Sequence, residues 1–237
     1  MKESIITGSM KMADLVAADP RSMVLITRFG IDLGFGDQTI KQICQEKNIQ
    51  TDFFLLMVNI FLSSSFFPNQ KLKNVDVKLL LTYLANSHEY YIREKIPLIQ
   101  AMFGNYLGKM DHPAKPQLQS FFDEYIQEVI EHIEYEEQVA FPYVSNLLAR
   151  SAGGAGKAGR ENYGISIFEE RHTNIEDKLS DLKNLLIKYL PPSKERFLRI
   201  RIINELFDLE QDLGNHARLE DQVLIPLVEQ MEKQLNP

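Results

Sequence analysis

The sequence has very little cysteine and no tryptophan. Its 237 residues include a single cysteine, Cys44, so the chain cannot form an internal disulfide, and nothing points to an oxidising compartment. Basic residues are also outnumbered, because 26 lysines and arginines stand against 33 aspartates and glutamates, for a formal net charge of −7. Binding to phosphate groups needs a basic face. We therefore expect no nucleic-acid partner and no binding to an anionic membrane.

A long hydrophobic segment is missing as well. The most apolar run, Phe53–Phe67, is shorter than the ~20 residues that a membrane-spanning helix needs, and Asn59 and three serines interrupt it. We interpret this run as a buried core helix rather than a membrane-interface segment. The first twenty residues contain no apolar stretch and include Lys2 and Glu3, unlike a signal peptide. We therefore expect a cytoplasmic protein.

Helical signals dominate the pattern, and alternation typical of strands is scarce. Three short helices are expected in about the first 65 residues: one from Asp19-Pro20 to Gly30, one opened by Gly36-Asp37, and the apolar run capped by Asp52. Serines, Pro68 and a polar stretch then end this part. The sequence thus predicts a small helical N-terminal domain over residues 1–68.

In residues 69–237 the segments with helical periodicity are longer. Segments rich in glycine and proline separate four long helices, which are predicted at 76–106, 117–150, 165–189 and 194–233. The short connections fit antiparallel neighbours, so we predict an all-α fold with an up-down four-helix bundle. Gly153–Gly159 follows a helix and lacks the Gly-Lys-Ser/Thr ending of a phosphate loop, which favours a flexible linker.

The most informative feature is an internal repeat. The segments that begin at His132 and His216 share the frame His-x-x-x-Glu-acid-Gln-Val-x-x-Pro-x-Val, 84 residues apart, and His88 and His172 have the same separation. Four of the five histidines therefore belong to this repeat, and one lies on each predicted long helix. His112 has no counterpart and is expected in a surface loop.

The repeated histidines predict a metal site in the bundle. Residues four apart on a helix point the same way, so His132 with Glu136, and His216 with Glu220, each offer an imidazole and a carboxylate. With His88 and His172 this gives six ligands, more than one tetrahedral zinc uses. Two carboxylates that can bridge suit two metal ions. Imidazole and carboxylate without thiolate favour iron, with manganese or zinc as substitutes.

Residues beside the proposed ligands have two interpretations. Glu137 and Asp221 follow the two glutamates and could orient a histidine, although a solvated position is favoured. Pro142 and Pro226 each remove a backbone donor and are expected to kink or end their helices.

At these residues the chain resembles the hemerythrin-like (HHE cation-binding) domain. It is most similar to the two-domain di-iron proteins for repair of iron–sulfur centres (RIC), which use four histidines and two bridging glutamates. The resemblance is good over residues 75–232 and weaker over 10–65, where Ala18-Asp-Pro-Arg-Ser and Phe29-Gly-Ile-Asp32 match the small N-terminal domain. It implies two carboxylate-bridged iron ions held by His88, His132, Glu136, His172, His216 and Glu220.

The chain departs from that family in two places. The family's N-terminal domain typically presents Cys-Cys-Gly-Gly, where this chain has Leu33-Gly34-Phe35-Gly36, and Cys44 lies downstream within a predicted helix. A thiol step therefore lacks its usual residues. Relatives often double the first histidine, whereas Glu89 follows His88 here.

The resemblance implies a small ligand (dioxygen, nitric oxide or peroxide), with damaged iron–sulfur proteins as partners during nitrosative or oxidative stress. We expect a metal-binding repair or stress protein rather than a turnover enzyme. The alternative is a sensor or binding module that signals to a protein partner. The Phe53–Phe67 segment could dock the small domain or form a homodimer contact.

Overall fold

The computed structural model describes residues 6–63, 66, 75–153, 163–171 and 175–235. Over these ranges the regular secondary structure is helical, without strands, and the only β pairing is an isolated bridge between Lys11 and Thr39. The predicted all-α class is confirmed. Residues 154–162, which hold most of the predicted glycine-rich linker, lie outside the described residues.

The chain divides into two compact units. The first contains the residues up to Asn86 together with Ala217–Gln230, and the second contains Ser87–His216 together with the residues from Met231 onward. The predicted domain boundary at residue 68 stays a prediction, because residues 67–74 lie outside the described part of the chain.

The first unit begins with short helices: α1 (Met12–Ala18), α2 (Ser22–Arg28), α3 (Ile40–Glu46) and α4 (Thr51–Leu62). The α1 helix was not predicted from the sequence. The α3 helix begins later than expected, because Thr39 forms a capping box with Gln42. The predicted stop after α2 is confirmed by Gly30, whose φ of 67° lies in the left-handed region.

The apolar run forms a buried helix, as predicted, but the helix ends at Leu62. The predicted cap is wrong, because Gln50 is the N-cap residue and Asp52 lies in the first turn. Phe53 and Phe54 of α4 are 3% and 0% exposed, and Phe29 packs against both, with ring centroids 6.0 and 5.1 Å away. The Phe29 ring also lies 4.9 Å from that of Tyr83, so aromatic contacts form much of this core. No helix in the described ranges is both long and apolar enough to cross a membrane.

The remaining helices agree with the predicted segments to within a few residues. Their bounds are α5 (Val77–Tyr90), π1 (Tyr91–Lys95), α6 (Ile96–Gly108), α7 (Lys115–Tyr135), π2 (Glu136–Ala140), α8 (Phe141–Ser151), α9 (Ile165–Arg171), α10 (Ile175–Asn184), π3 (Leu185–Tyr189), α11 (Arg196–Leu219), π4 (Glu220–Leu224) and α12 (Ile225–Leu235). The segments π1 to π4 are single turns of π-helix.

The core of the second unit lies between α6, α7, α10 and α11. Buried side chains from all four helices pack together, with Phe103 stacked on Phe122 at 4.4 Å between ring centroids. Leu182 and Leu206 contribute fully buried side chains from α10 and α11. Burial of an apolar face on each of four helices is what stabilises a bundle.

The predicted effect of two prolines is wrong in part. Pro142 and Pro226 do not end their helices, because α8 and α12 continue directly from the π turns before them. In these turns Phe141 N–H donates to the carbonyl of Glu136, and Ile225 N–H donates to the carbonyl of Glu220, five residues back. The wider turn accommodates a residue that would disrupt a regular α-helix.

Candidate metal centre

Four of the predicted ligands lie on three helical runs of the second unit. His88 is near the end of α5, His132 is in the last turn of α7 with Glu136 at the start of π2, and His216 is near the end of α11. His88, Glu136 and His216 are 1%, 0% and 6% exposed, so this polar group is enclosed in the protein. Buried polar and charged groups are rare unless they are paired or bind a metal.

Glu136 is surrounded by imidazole rings. Its Oε1 lies 2.9 Å from His132 Nε2, its Oε2 lies 2.9 Å from His88 Nε2, and His216 Nε2 is 3.9 Å from the same Oε2. His88 Nε2 and His216 Nε2 are only 3.2 Å apart. Two histidine Nε2 atoms and one carboxylate oxygen, from residues on three different helical runs, therefore lie close together.

Glu137 faces the other nitrogen of His88. Its Oε1 lies 3.1 Å from His88 Nδ1, and since a carboxylate can only accept, Nδ1 donates the proton. In a neutral ring this leaves the lone pair on Nε2, which points toward Glu136 and His216. Glu137 is also 48% exposed, so it orients His88 from the edge of the solvent. The geometry therefore supports the orienting role of Glu137, although its sequence position favoured a solvated one.

The donor set fits a metal ion. A lone pair on His88 Nε2 beside a carboxylate oxygen needs a proton or a cation between them. Ligand atoms about 2.1 Å from one ion, as nitrogen and oxygen ligands are, lie about 3 Å apart at right angles. The separations of 2.9 and 3.2 Å around His88 Nε2 agree with this. Imidazole with carboxylate is the ligand chemistry of iron, manganese and zinc sites.

Aromatic side chains hold the histidines in place. The His88 ring stacks on Phe141, with centroids 5.4 Å apart and planes 7° from parallel, and Tyr91 meets the His216 ring edge-on at 5.9 Å. Phe141 and Tyr91 are themselves buried. These contacts limit ring rotation and provide an apolar wall on two sides of the donor atoms.

The electrostatic environment keeps Glu136 ionised. Its burial raises the pKa of the carboxyl, but the facing imidazoles of His132, His216 and His88 have the larger combined effect, so the pKa is held well below its usual value. For Glu137, the contact with His88 likewise lowers the pKa. Both groups are therefore negatively charged at neutral pH and attract a cation.

Two more of the residues considered from the sequence, the proposed ligand Glu220 and His112, lie in the described part of the chain. Glu220 is fully buried at the start of π4, one turn after His216. His172 lies outside the described residues. His112 lies in the connection between α6 and α7, where its Nδ1 accepts a hydrogen bond from the backbone N–H of Ala114. Asp221, the counterpart of Glu137 in the repeat, is exposed.

The region that replaces the family's cysteine pair offers no accessible thiol. Leu33 is 62% exposed, and the glycines beside it, Gly34 and Gly36, have φ values of 104° and 52°. Cys44 is fully buried in α3, and burial raises the pKa of its thiol to about 11. A thiol in this environment is protonated and unreactive at neutral pH.

The chain is similar to proteins named for the repair of iron-sulfur clusters. The chain is 24% identical over 232 residues to the iron-sulfur cluster repair protein ScdA of Staphylococcus haemolyticus, covering 93% of this chain and 98% of that protein. It is 25% identical over 119 residues to the iron-sulfur cluster repair protein YtfE of Salmonella paratyphi B, covering 48% of this chain and 50% of YtfE.

The family match covers most of the chain. Residues 80–228 match the Hemerythrin HHE cation binding domain. This range includes α7 with its His132 and Glu136, and α11 with His216. The chain therefore belongs to the hemerythrin HHE cation-binding family.

Proposed function

We propose that the chain holds two iron ions through His88, His132, Glu136, His172, His216 and Glu220. The observation that carries this proposal is the buried Glu136 carboxylate, which lies 2.9 Å from imidazole nitrogens of two different helices. The duplicated frame supplies the second half of the set, since His216 and Glu220 repeat the spacing of His132 and Glu136.

The protein residues have distinct tasks in this centre. Glu136 and Glu220 each have two oxygens and can bridge, while the four histidines bind through nitrogen and add no charge. Iron in such a site supplies open positions for a small ligand and one-electron redox chemistry. Glu137 keeps the proton on His88 Nδ1, which leaves Nε2 free to bind.

We propose that the protein binds dioxygen, nitric oxide or peroxide in the cytoplasm and serves in the repair of iron–sulfur centres under nitrosative or oxidative stress. Two relatives named as iron-sulfur cluster repair proteins support this role, one of them over 93% of the chain. Its macromolecular partners would be damaged iron–sulfur proteins. In this function the chain is a metal-binding repair protein, not a turnover enzyme.

The metal content of anaerobically purified protein is the first test. We expect about two irons per chain, as a bridged site requires, and an absorption spectrum that changes on exposure to air. His132→Ala and His88→Ala should each lower the iron content, whereas His112→Ala should not. An equal loss from His112→Ala would show that the ligand set is wrong. Zinc or manganese alone, without a redox-dependent spectrum, would contradict the redox function.

The repair role needs a separate test. Iron-loaded protein should restore activity to an iron–sulfur enzyme damaged by nitric oxide, and it should do so better than the same amount of free ferrous iron. The His132→Ala variant is the control, since it keeps the surface of the protein and loses a ligand. Equal recovery with free iron would refute the repair role.

A sensor function is the second candidate, and one contact favours it. Arg218, which lies between His216 and Glu220 in the sequence, donates to the backbone carbonyls of Ile60 and Ser63 at the end of α4, at 3.1 and 3.2 Å. Through these bonds a change in the ligand-bearing helix would reach the N-terminal helices.

Hydrogen exchange can test the sensor function. Addition of nitric oxide to iron-loaded protein should change amide protection in α4, and Arg218→Met should abolish that change while iron content stays the same. Unchanged protection in the unsubstituted protein would count against a sensor.

A further inference from the structure

The outer face of α11 carries a stripe of exposed apolar side chains. Phe197, Ile200 and Phe207 are 68%, 51% and 46% exposed, and the exposed Asn204 lies between the last two. Their spacing of three, four and three residues is that of a coiled-coil seam. The opposite face of the helix, with Leu206, is buried in the core of the second unit. The stripe is therefore additional to the surface that folds the bundle.

The helices that form ion pairs with α11 also carry exposed apolar side chains. Lys95 contacts Glu205 of α11 at 2.6 Å on one side, and Lys183 pairs with an acidic residue of α11 on the other. One turn along from each lysine is an exposed apolar residue, Leu98 at 47% and Ile187 at 52%. Single exposed apolar residues are ordinary, but several on neighbouring helices indicate an interaction site.

The charges along α11 are divided between its ends. Lys194, Arg196 and Arg201 are exposed in and just before its first half, whereas the second half presents Asp208, whose side chain is 68% exposed. Asp208 pairs with Lys95 at 3.9 Å, and its exposed carboxylate can also accept a second cation. Two such helices placed antiparallel would bring the basic end of each to the acidic end of the other, whereas a parallel pair would bring like charges together.

We propose that two copies of this chain pair through α11 in antiparallel orientation. Phe197 of each copy packs on Phe207 of the other, Ile200 lies near Asn204, and Arg196 lies near Asp208. Such a contact is self-complementary about a two-fold axis, which closes the assembly at two copies. A polar residue within an apolar seam fixes the register of the two helices.

The expected interface is of moderate size. The stripe extends for about 15 Å along the helix, at ~1.5 Å per residue. A stable interface buries about 800 Å² on each partner, so the contribution of Leu98 and Ile187 is needed. We therefore expect a dimer that dissociates on dilution.

Sedimentation velocity over a range of protein concentrations tests the proposal. The unsubstituted protein should be a dimer at high concentration, and Ile200→Asp should weaken dimerisation at least about tenfold, as removal of a central contact does. Leu33→Asp is the matched control, because Leu33 is at 62% even more exposed than Ile200 but lies in the first unit. A protein that remains monomeric at its highest soluble concentration, or an Ile200→Asp variant that dimerises normally, would overturn the proposal.

Charge reversal tests the orientation. Arg196→Glu and Asp208→Arg should each weaken the dimer, and the double variant should restore it, since every copy then carries both reversed charges. Circular dichroism verifies that all variants are folded. In a parallel pair Arg196 would face Arg196, so the double variant would not restore binding, and that result would refute the antiparallel arrangement.

Discussion

Replacement of Glu137 by alanine should weaken metal binding without removing a ligand. Glu137 Oε1 accepts a hydrogen bond from His88 Nδ1 at 3.1 Å, and this bond selects the tautomer with a free Nε2 lone pair. Without it, the proton can move to Nε2, which would then have to be deprotonated before it could bind. We expect the affinity of the site to fall, since the binding form of His88 becomes less populated.

The exposure of Glu137 sets the size of this effect. Loss of a residue that orients a metal-bound histidine typically costs 10–100-fold in affinity. Glu137 is 48% exposed, so water can partly replace its carboxylate, and solvent screens its charge. We therefore expect the low end, about tenfold or about 1.4 kcal/mol. Glu137→Gln keeps an acceptor without the charge and should lose less.

Competition with a chelator, under anaerobic conditions and with ferrous iron, measures this affinity. Glu134→Ala is the matched control, because Glu134 is an exposed acid on the same helical run and the change in net charge is identical. Equal affinities for Glu137→Ala and Glu134→Ala would refute the reasoning. A hundredfold loss or more would instead show that Glu137 binds the metal directly.

Three further predictions concern stability and reactivity. Leu206→Ala, at a fully buried position, should lower the free energy of unfolding by about 3 kcal/mol, measured by urea denaturation, whereas Gln211→Ala on the exposed face should have little effect. Cys44, with a pKa near 11, should resist iodoacetamide at pH 8 in the folded protein and react once urea unfolds it; rapid reaction in native buffer would contradict the burial. Arg218→Lys should keep more of the α4 stability than Arg218→Met, as seen by hydrogen exchange, because a lysine can still donate to one carbonyl.

The sequence was sufficient to predict the fold class and the long helices. Periodic apolar residues and glycine or proline stops depend on local rules, so the predicted segment 117–150 agrees closely with the helical run from Lys115 to Ser151. The repeat also selected His88, Glu136 and His216, whose side chains meet although 128 residues separate the outer two. The duplication made this selection possible, since the same residue pattern at two positions indicates the same function at both.

Contacts between distant segments could not be predicted from local patterns. Glu137 faces His88 because α5 and π2 lie side by side, and the sequence offered only an acid next to a proposed ligand. No sequence motif predicts the hydrogen bonds from Arg218 to the end of α4, since other arginines on helices have similar neighbours in the sequence. The short N-terminal helix α1 was missed, because its N-cap residue Lys11 is not a capping residue and makes no side-chain cap hydrogen bond.

In both copies of the repeat, a π turn lies between the proposed glutamate ligand and the proline. The turn begins at the glutamate and ends two residues before the proline, at Glu136–Ala140 before Pro142 and at Glu220–Leu224 before Pro226. The carbonyl of each glutamate accepts the i+5 bond, which ties the ligand-bearing residue to the widened turn. Since π turns occur often at functional sites, the proline follows a functional turn and does not simply interrupt the helix. The turn geometry that both glutamates share accommodates the proline, in agreement with the fixed spacing of Glu and Pro in the two copies of the repeat.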